Sequence, residues 1–201
     1  MLLTDIVYKY FIHSISIVHS FVVYSLFSFF LFNIAELPAA SPKENQIKVA
    51  YLYQFTQFVE WPSSVFESAQ SNFQLCVLGS SLFDRQLKLL KGRKHDSHPI
   101  VVRYPKTKKD VQGCHLLYFG KMDAQREAAI LNQYKNTPLL TVSSEADFAK
   151  HGGTIGFVII NDRVRLEINR VMARDANVKL SAKLLEVGII VKGASLRGPS
   201  S

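Results

Sequence analysis

Residues 152–169 read GGTIGFVIINDRVRLEIN. An apolar run from Thr154 to Ile160 meets the polar pair Asn161-Asp162, and an alternating run follows. Asn and Asp both tolerate positive φ, so the pair suits the tip of a tight hairpin. In the second run Val164, Leu166 and Ile168 share one face of a period-two strand, and Arg163, Arg165, Glu167 and Asn169 share the other. One face is built for burial, the other is a polar ledge. Arg165 and Glu167 are same-face neighbours with Asn169 continuing the row, a pattern with two readings. It is an exposed salt-bridged strand face, or a site where Arg165 takes a carboxylate or phosphate and Glu167 takes an amine.

Upstream of the hairpin, apolar strands alternate with helical patterns. Gln74 to Gly79 reads as a strand, and Leu82, Leu87, Leu89 and Leu90 follow at helical spacing up to Gly92. Pro99 to Tyr104 and Cys114 to Gly120 are the next strands. Met122 to Tyr134 is helical, Pro138 to Val142 is a strand, and Ser144 to Lys150 reads as a short helix capped by Ser143 or Ser144. After the hairpin, Arg170 to Ala176 and Ser181 to Ile190 read as two helices. Strand–helix alternation of this kind predicts a single α/β domain: a mostly parallel sheet flanked by helices, with the antiparallel hairpin near its C-terminal end.

The domain opens on a strongly apolar helix. Ile47, Tyr51, Phe55 and Phe58 fall at helical spacing, Leu52 and Val59 widen the stripe, and Pro62 stops the pattern after Trp61. Val49 and Tyr53 add a second apolar face, so the helix is either buried all round or carries a surface for a partner. Ser41 to Gln46 reads as a polar lead and Gly193 to Ser201 as a loose tail.

Before that helix, Tyr10 to Ala35 contains no formally charged residue, and it ends in Glu36-Leu37-Pro38-Ala39-Ala40. Cleavage after Ala39 fits a secretory signal; the apolar run is also long enough for an uncleaved anchor. Either makes residues 40–192 an exported domain, with 1–39 as signal peptide or N-terminal anchor and 193–201 as tail. Export gives the two cysteines, Cys76 and Cys114, a disulfide as first reading and two buried thiols as second.

The net charge of +8 favours anionic partners. Its densest stretch runs from Lys88 to Lys109, with Tyr104 as the lone aromatic, whereas a nucleic-acid platform interleaves several. No nucleic acid is expected. His95, Asp96 and His98 lie in KGRKHDSHP, which reads as a solvated loop more than a metal site, and His115 reads as a satisfied structural histidine. No G-x-S-x-G elbow, HExxH or Walker A motif occurs, and no nucleophile–base pair suggests an exported hydrolase. Neither a catalytic residue, a metal nor a cofactor is assigned.

Six ordered segments resemble the YfiR-like family. They are Tyr53-x-Phe55-x-x-Phe58-Val59-Glu60-Trp61-Pro62, Leu75-Cys76-Val77-Leu78-Gly79, Cys114-His115-Leu116-Leu117, Gly152-Gly153-x-Ile155-x-Phe157, Glu167-Ile168-Asn169 and Leu180-Ser181-x-x-Leu184-Leu185. The similarity spans roughly 47–191. It implies a periplasmic, non-enzymatic, homodimeric α/β protein that restrains an inner-membrane diguanylate cyclase through its periplasmic region. An outer-membrane lipoprotein would sequester it, which raises cyclic di-GMP and favours biofilm. A sensor kinase is the other partner of this type. The resemblance matches Cys76 and Cys114 to one bridge of the family; residues 143–153 hold no cysteine for a second. Tyr53, Phe58, Glu60 and Trp61 are the expected partner-binding residues. Arg165, Glu167 and Asn169 are the expected site if the protein instead senses a small anionic or zwitterionic ligand.

Overall fold

A computed structural model describes residues 42–193 apart from Leu82. The expected signal or anchor at 1–39 and the tail beyond Gly193 lie outside the described residues. Among those described, no helix is long and apolar enough to cross a membrane.

Helix α1 spans Pro42–Phe58 and passes into β1, Val59–Glu60. The helix thus absorbs the expected polar lead and ends three residues before Trp61. Its buried face is also rotated: Val49, Leu52, Phe55 and Thr56 are buried while Ile47 is exposed. The chain turns extended at Val59 because β1 pairs antiparallel with β9, and helical spacing cannot register that long-range pairing.

Strand β2 (Phe73–Leu78) leads through α2 (Asp84–Leu87), which continues as a 3-10 turn to Leu90, into β3 (Lys94–His95) and β4 (His98–Arg103). The stretch expected to be a solvated loop is therefore a hairpin. Asp96, at φ 48°, makes its turn, and His95 and His98 face each other across it, both buried. Strand β5 (Leu116–Phe119) connects through α3 (Ala124–Tyr134) to β6 (Leu140–Ser143). All four residues of β5 are buried, as befits a strand covered on both faces.

Between β6 and β7 (Ile155–Ile160) the expected helix at Ser144–Lys150 is a succession of turns. Asp147 sits at φ 56°, a left-handed backbone that a right-handed helix cannot contain, and its carbonyl accepts from both Lys150 and His151 in a tight turn. Gly153 lies flat under Phe148, and a Cβ there would come within 2.1 Å of the ring. Strand β8 (Arg163–Ile168) returns antiparallel to β7 through Asn161 and Asp162, both at positive φ, so the hairpin and its alternation stand as expected.

Helix α4 (Arg170–Asp175), β9 (Lys179–Leu180), α5 (Ala182–Val187) and β10 (Gly188–Ile190) complete the chain. The second expected C-terminal helix is thus divided. Its last third is a strand laid parallel along β8.

The main sheet has the order β10-β8-β7-β6-β5-β2-β4-β3, parallel except for the β7–β8 and β3–β4 hairpins. Its rims are short, three residues at β10 and two at β3. One face packs Leu52 and Phe55 of α1 with Leu87 and Leu184, and the Tyr51, Phe55 and Phe157 rings cluster at centroid spacings of 6.0–6.2 Å. Each fully buried Leu or Phe contributes roughly 1.5–3 kcal/mol relative to exposure. The other face packs Ile130 and Leu131 of α3 with Leu117, Phe119 and Phe148. Cys76 and Cys114 lie in this second layer and are joined, with Cα atoms 5.9 Å apart.

Candidate functional site

The end of α1 carries the aromatic residues singled out in the sequence. Tyr53 and Phe58 are half-buried, leaving part of each ring at the surface, and the Arg93 guanidinium lies 5.3 Å from the Tyr53 ring centroid. Such a cation over a ring face adds about 0.5–1 kcal/mol at an exposed site. Glu60 is exposed on β1 and accepts from Lys179 of β9 at 3.0 Å. The backbone behind this pair is fixed by the β1–β9 ladder and by Ser181 N–H donating to the Phe58 carbonyl. Gln57 adds a bond from its side-chain amide to the Lys94 carbonyl, tying the helix end to β3.

Trp61 does not share that surface. It is only 8 % exposed, its edge meets Phe73 at 4.9 Å, and its ring N–H donates to the His115 carbonyl at 3.0 Å. A buried indole needs such an acceptor, and finding one explains why this large ring is held inside. Trp61 supports the surface from below, so of the four expected contact residues Tyr53, Phe58 and Glu60 come together at the exterior. Arg93 and Lys179 join them. Neither carried a sequence signal, because both reach the helix end through long-range pairing.

The ledge is shorter than its alternation suggests. Arg165 is exposed and Glu167 half-buried on one face of β8, whereas Asn169 is fully buried. Asn169 caps α4: its Oδ1 accepts from the Val171 and Met172 amides at 3.1 and 3.2 Å, and its Nδ2 donates to the Ala149 carbonyl at 2.8 Å. Those bonds occupy the polar atoms a ligand would have used, so the row ends at Glu167. One Glu167 oxygen lies 3.7 Å from Lys150 Nζ; the other is buried with no hydrogen-bond partner among the described residues. Lys150 also donates to Asp147, and these two carboxylates, Asp147 first, hold its ammonium above the ordinary lysine range. The left-handed turn at Asp147 is what brings Lys150 here, a geometry invisible to helical periodicity.

Two further places bear on where a ligand could sit. Ligands of open α/β sheets sit beyond the carboxyl ends of the strands where the winding reverses. That point here lies between β2 and β5. It is closed by backbone: Ser80 N–H donates to the Lys121 carbonyl at 3.2 Å and Lys121 N–H to the Ser80 carbonyl at 2.9 Å. Gly120 permits the approach, since a Cβ there would lie 2.2 Å from Ser80 O. A cavity of about 310 Å³ opens instead beside α4, where Arg170, Arg174, Asn177 and Lys179 surround a floor containing Val178 and Leu185.

The class these features define is an open, mostly parallel α/β sheet domain flanked by helices, with its customary ligand mouth shut by backbone. The chain belongs to the YfiR/HmsC-like family, whose model matches residues 45–188. That match runs from α1 to the start of β10 and includes both cysteines, the hairpin and the α1 end. The family is periplasmic, regulatory rather than catalytic, and associated with membrane diguanylate cyclases. A search of curated proteins finds no significant match.

Proposed function

We propose that this protein is a periplasmic repressor that holds a membrane diguanylate cyclase, or a sensor kinase of the same membrane topology, in its inactive state by direct contact. The carrying observation is the pair of half-buried rings, Tyr53 and Phe58, kept at the surface beside the Glu60–Lys179 pair by a helix end that is itself pinned from behind. Rigid aromatic groups with one free face dominate interface energetics, because they bury large area at low entropic cost. Binding shifts the receptor only by the difference in affinity for its two states, so the surface recognises one conformation of the periplasmic region. An outer-membrane lipoprotein that covers the same rings relieves repression by competition. Deleting the gene raises cyclic di-GMP. Restoring it with Tyr53→Ala and Phe58→Ala leaves the level high although the protein folds and accumulates. An unchanged level on deletion refutes the reading. Light scattering of the purified domain tests the expected homodimer.

A second reading rests on the strand face shared by Arg165 and Glu167, with one Glu167 oxygen having no hydrogen-bond partner among the described residues. Arg165 would receive the carboxylate and Glu167 the ammonium group of a zwitterion, and the bound ligand would tune the repressor. A metabolite that raises the melting temperature of the native protein but not of Arg165→Ala or Glu167→Ala supports it. A library without any such shift removes it.

A further inference from the structure

We propose that His95, His98 and His115, gathered around Phe66, form an acid-sensitive clasp that fastens the 63–71 loop to the end of α1. Phe66 lies flat on His98, at 3.8 Å between centroids and 10° between planes. It stacks on His115 at 4.7 Å and on His95 at 5.9 Å. Trp61 and Phe73 close the group, each within 5.3 Å of His95. The three imidazoles come from two separate parts of the chain, the β3–β4 hairpin and the residue before β5, and all are buried.

Hydrogen bonding gives the three rings different tolerance of a second proton. Backbone amides only donate, so Gln74 N–H at 2.8 Å from His115 Nδ1 requires that nitrogen to be an unprotonated acceptor. The neutral ring then carries its hydrogen on Nε2, toward the Val65 carbonyl at 3.4 Å. His95 and His98 are the reverse. Their Nδ1 atoms face the Thr56 and Ser71 carbonyls and donate to them, so a proton arriving on Nε2 leaves both bonds intact. A proton arriving on His115 must land on Nδ1, where it faces the Gln74 amide hydrogen and breaks that bond. It also places a charge in a shell whose other titratable members are His95 and His98. Among the described residues, the carboxylate in contact is that of the exposed Asp96, 3.8 Å from His95. An imidazolium on Phe66 gains cation–π attraction, but like charges gathered around one ring repel one another. Burial, the Val65 bond partly offsetting it, and the two neighbouring histidines hold His115 below the ordinary histidine value of 6.5.

The folded pKa of His115 lies below its unfolded value, so the unfolded chain binds more protons between the two. The contribution of the clasp is complete above pH 6.5 and is lost as pH falls from there through the folded pKa. Within that window the ratio of clasped to open forms falls by up to about tenfold per pH unit. Opening breaks the Gln74 bond and frees Phe66 from its stack on His115, which loosens the packing beneath the α1 end carrying Tyr53 and Phe58. The inference concerns the loop itself and holds whether or not the partner is a cyclase.

Trp61 reports on the clasp. It is the single tryptophan of the chain, it touches His95, and its N–H rests on the His115 carbonyl. Titrating the intact protein from pH 8 to about pH 4.5 should give a reversible fluorescence transition below pH 6.5 in parallel with falling urea resistance. His115→Gln, whose side-chain oxygen can still accept from Gln74 without titrating, should suppress the transition. The exposed His151→Gln should leave it intact. A pH-independent signal in the wild type, or an undiminished transition in His115→Gln, overturns the proposal. Should His115→Gln fail to fold, imidazole ¹⁵N shifts of the wild type decide: His115 in the Nδ1–H tautomer, or titrating at an ordinary value, refutes it equally.

Discussion

Replacing both Cys76 and Cys114 by alanine tests how much of the stability resides in one covalent link. The bridge joins β2 to the residue that begins the approach to β5, two strands that are already hydrogen-bonded neighbours, so breaking it removes no contact the sheet cannot keep. What it removes is a restraint on the unfolded chain. The closed loop is 38 residues long, for which loop-closure entropy gives about 4 kcal/mol at room temperature. Against a total of about 5–15 kcal/mol for an ordinary domain, that is about a quarter or more of the reserve. In urea, with a slope of about 1–3 kcal/mol/M, the midpoint should fall by roughly 1–4 M relative to the oxidised wild type. Reduced wild type, Cys76→Ala alone and the double variant should fall together, since each loses the same link. A double variant within about 1 kcal/mol of oxidised wild type would refute the reasoning and imply that the denatured state is already compact across this loop.

Asn169→Ala removes both cap bonds of α4 and the tie to Ala149, and should cost about 1–2 kcal/mol in thermal or chemical unfolding; a loss under half that means water takes over the cap. Gly153→Ala drives a Cβ into the Phe148 ring and should cost about 1–3 kcal/mol, with Phe148→Leu recovering part of it; two additive single-site losses would contradict the overlap. The Tyr118 phenol is pushed up to about 12 by burial, so the folded protein keeps a proton that the unfolded chain gives up near 10.0, and stability should fall as pH rises through that interval. Tyr118→Phe should flatten this alkaline loss, and an unchanged slope would assign it elsewhere.

The elements legible in the sequence are those whose own side chains encode their burial. The β7–β8 hairpin is the clearest: Val164, Leu166 and Ile168 alternate strictly, and Asn161-Asp162 supplies the turn chemistry locally. Strand β5 is buried at every position and β2 at every position but Gln74, because both faces are covered. What escapes the sequence is whatever a distant segment decides. Val59 leaves the helix because Leu180 is there to pair with it, and Gly188 to Ile190 extend because β8 offers an edge, although both stretches continue a helical pattern. Trp61 looks like a surface anchor until the His115 carbonyl appears behind it. Asn169 looks like a ledge residue because alternation continues one step past the strand. His95 and His98 sit among lysines and an aspartate that suggest solvent, while their rings turn inward to Phe66. The paired cysteines were readable only through compartment and resemblance, since spacing alone says nothing of which faces two sulfurs share.

The two rims of the sheet bear on behaviour at high concentration. An exposed strand edge is a template on which other chains can add, and the risk grows with the length of unpaired backbone. At β10 and β3 the free ladder is three and two residues long, and the β3 rim carries Lys94. Each rim therefore offers too few consecutive hydrogen bonds to hold a foreign strand in register. With Ile189 and Ile190 exposed at the longer rim, brevity does the work that charge does elsewhere. A lengthened β10, more than any loss from the core, would turn this domain toward fibres.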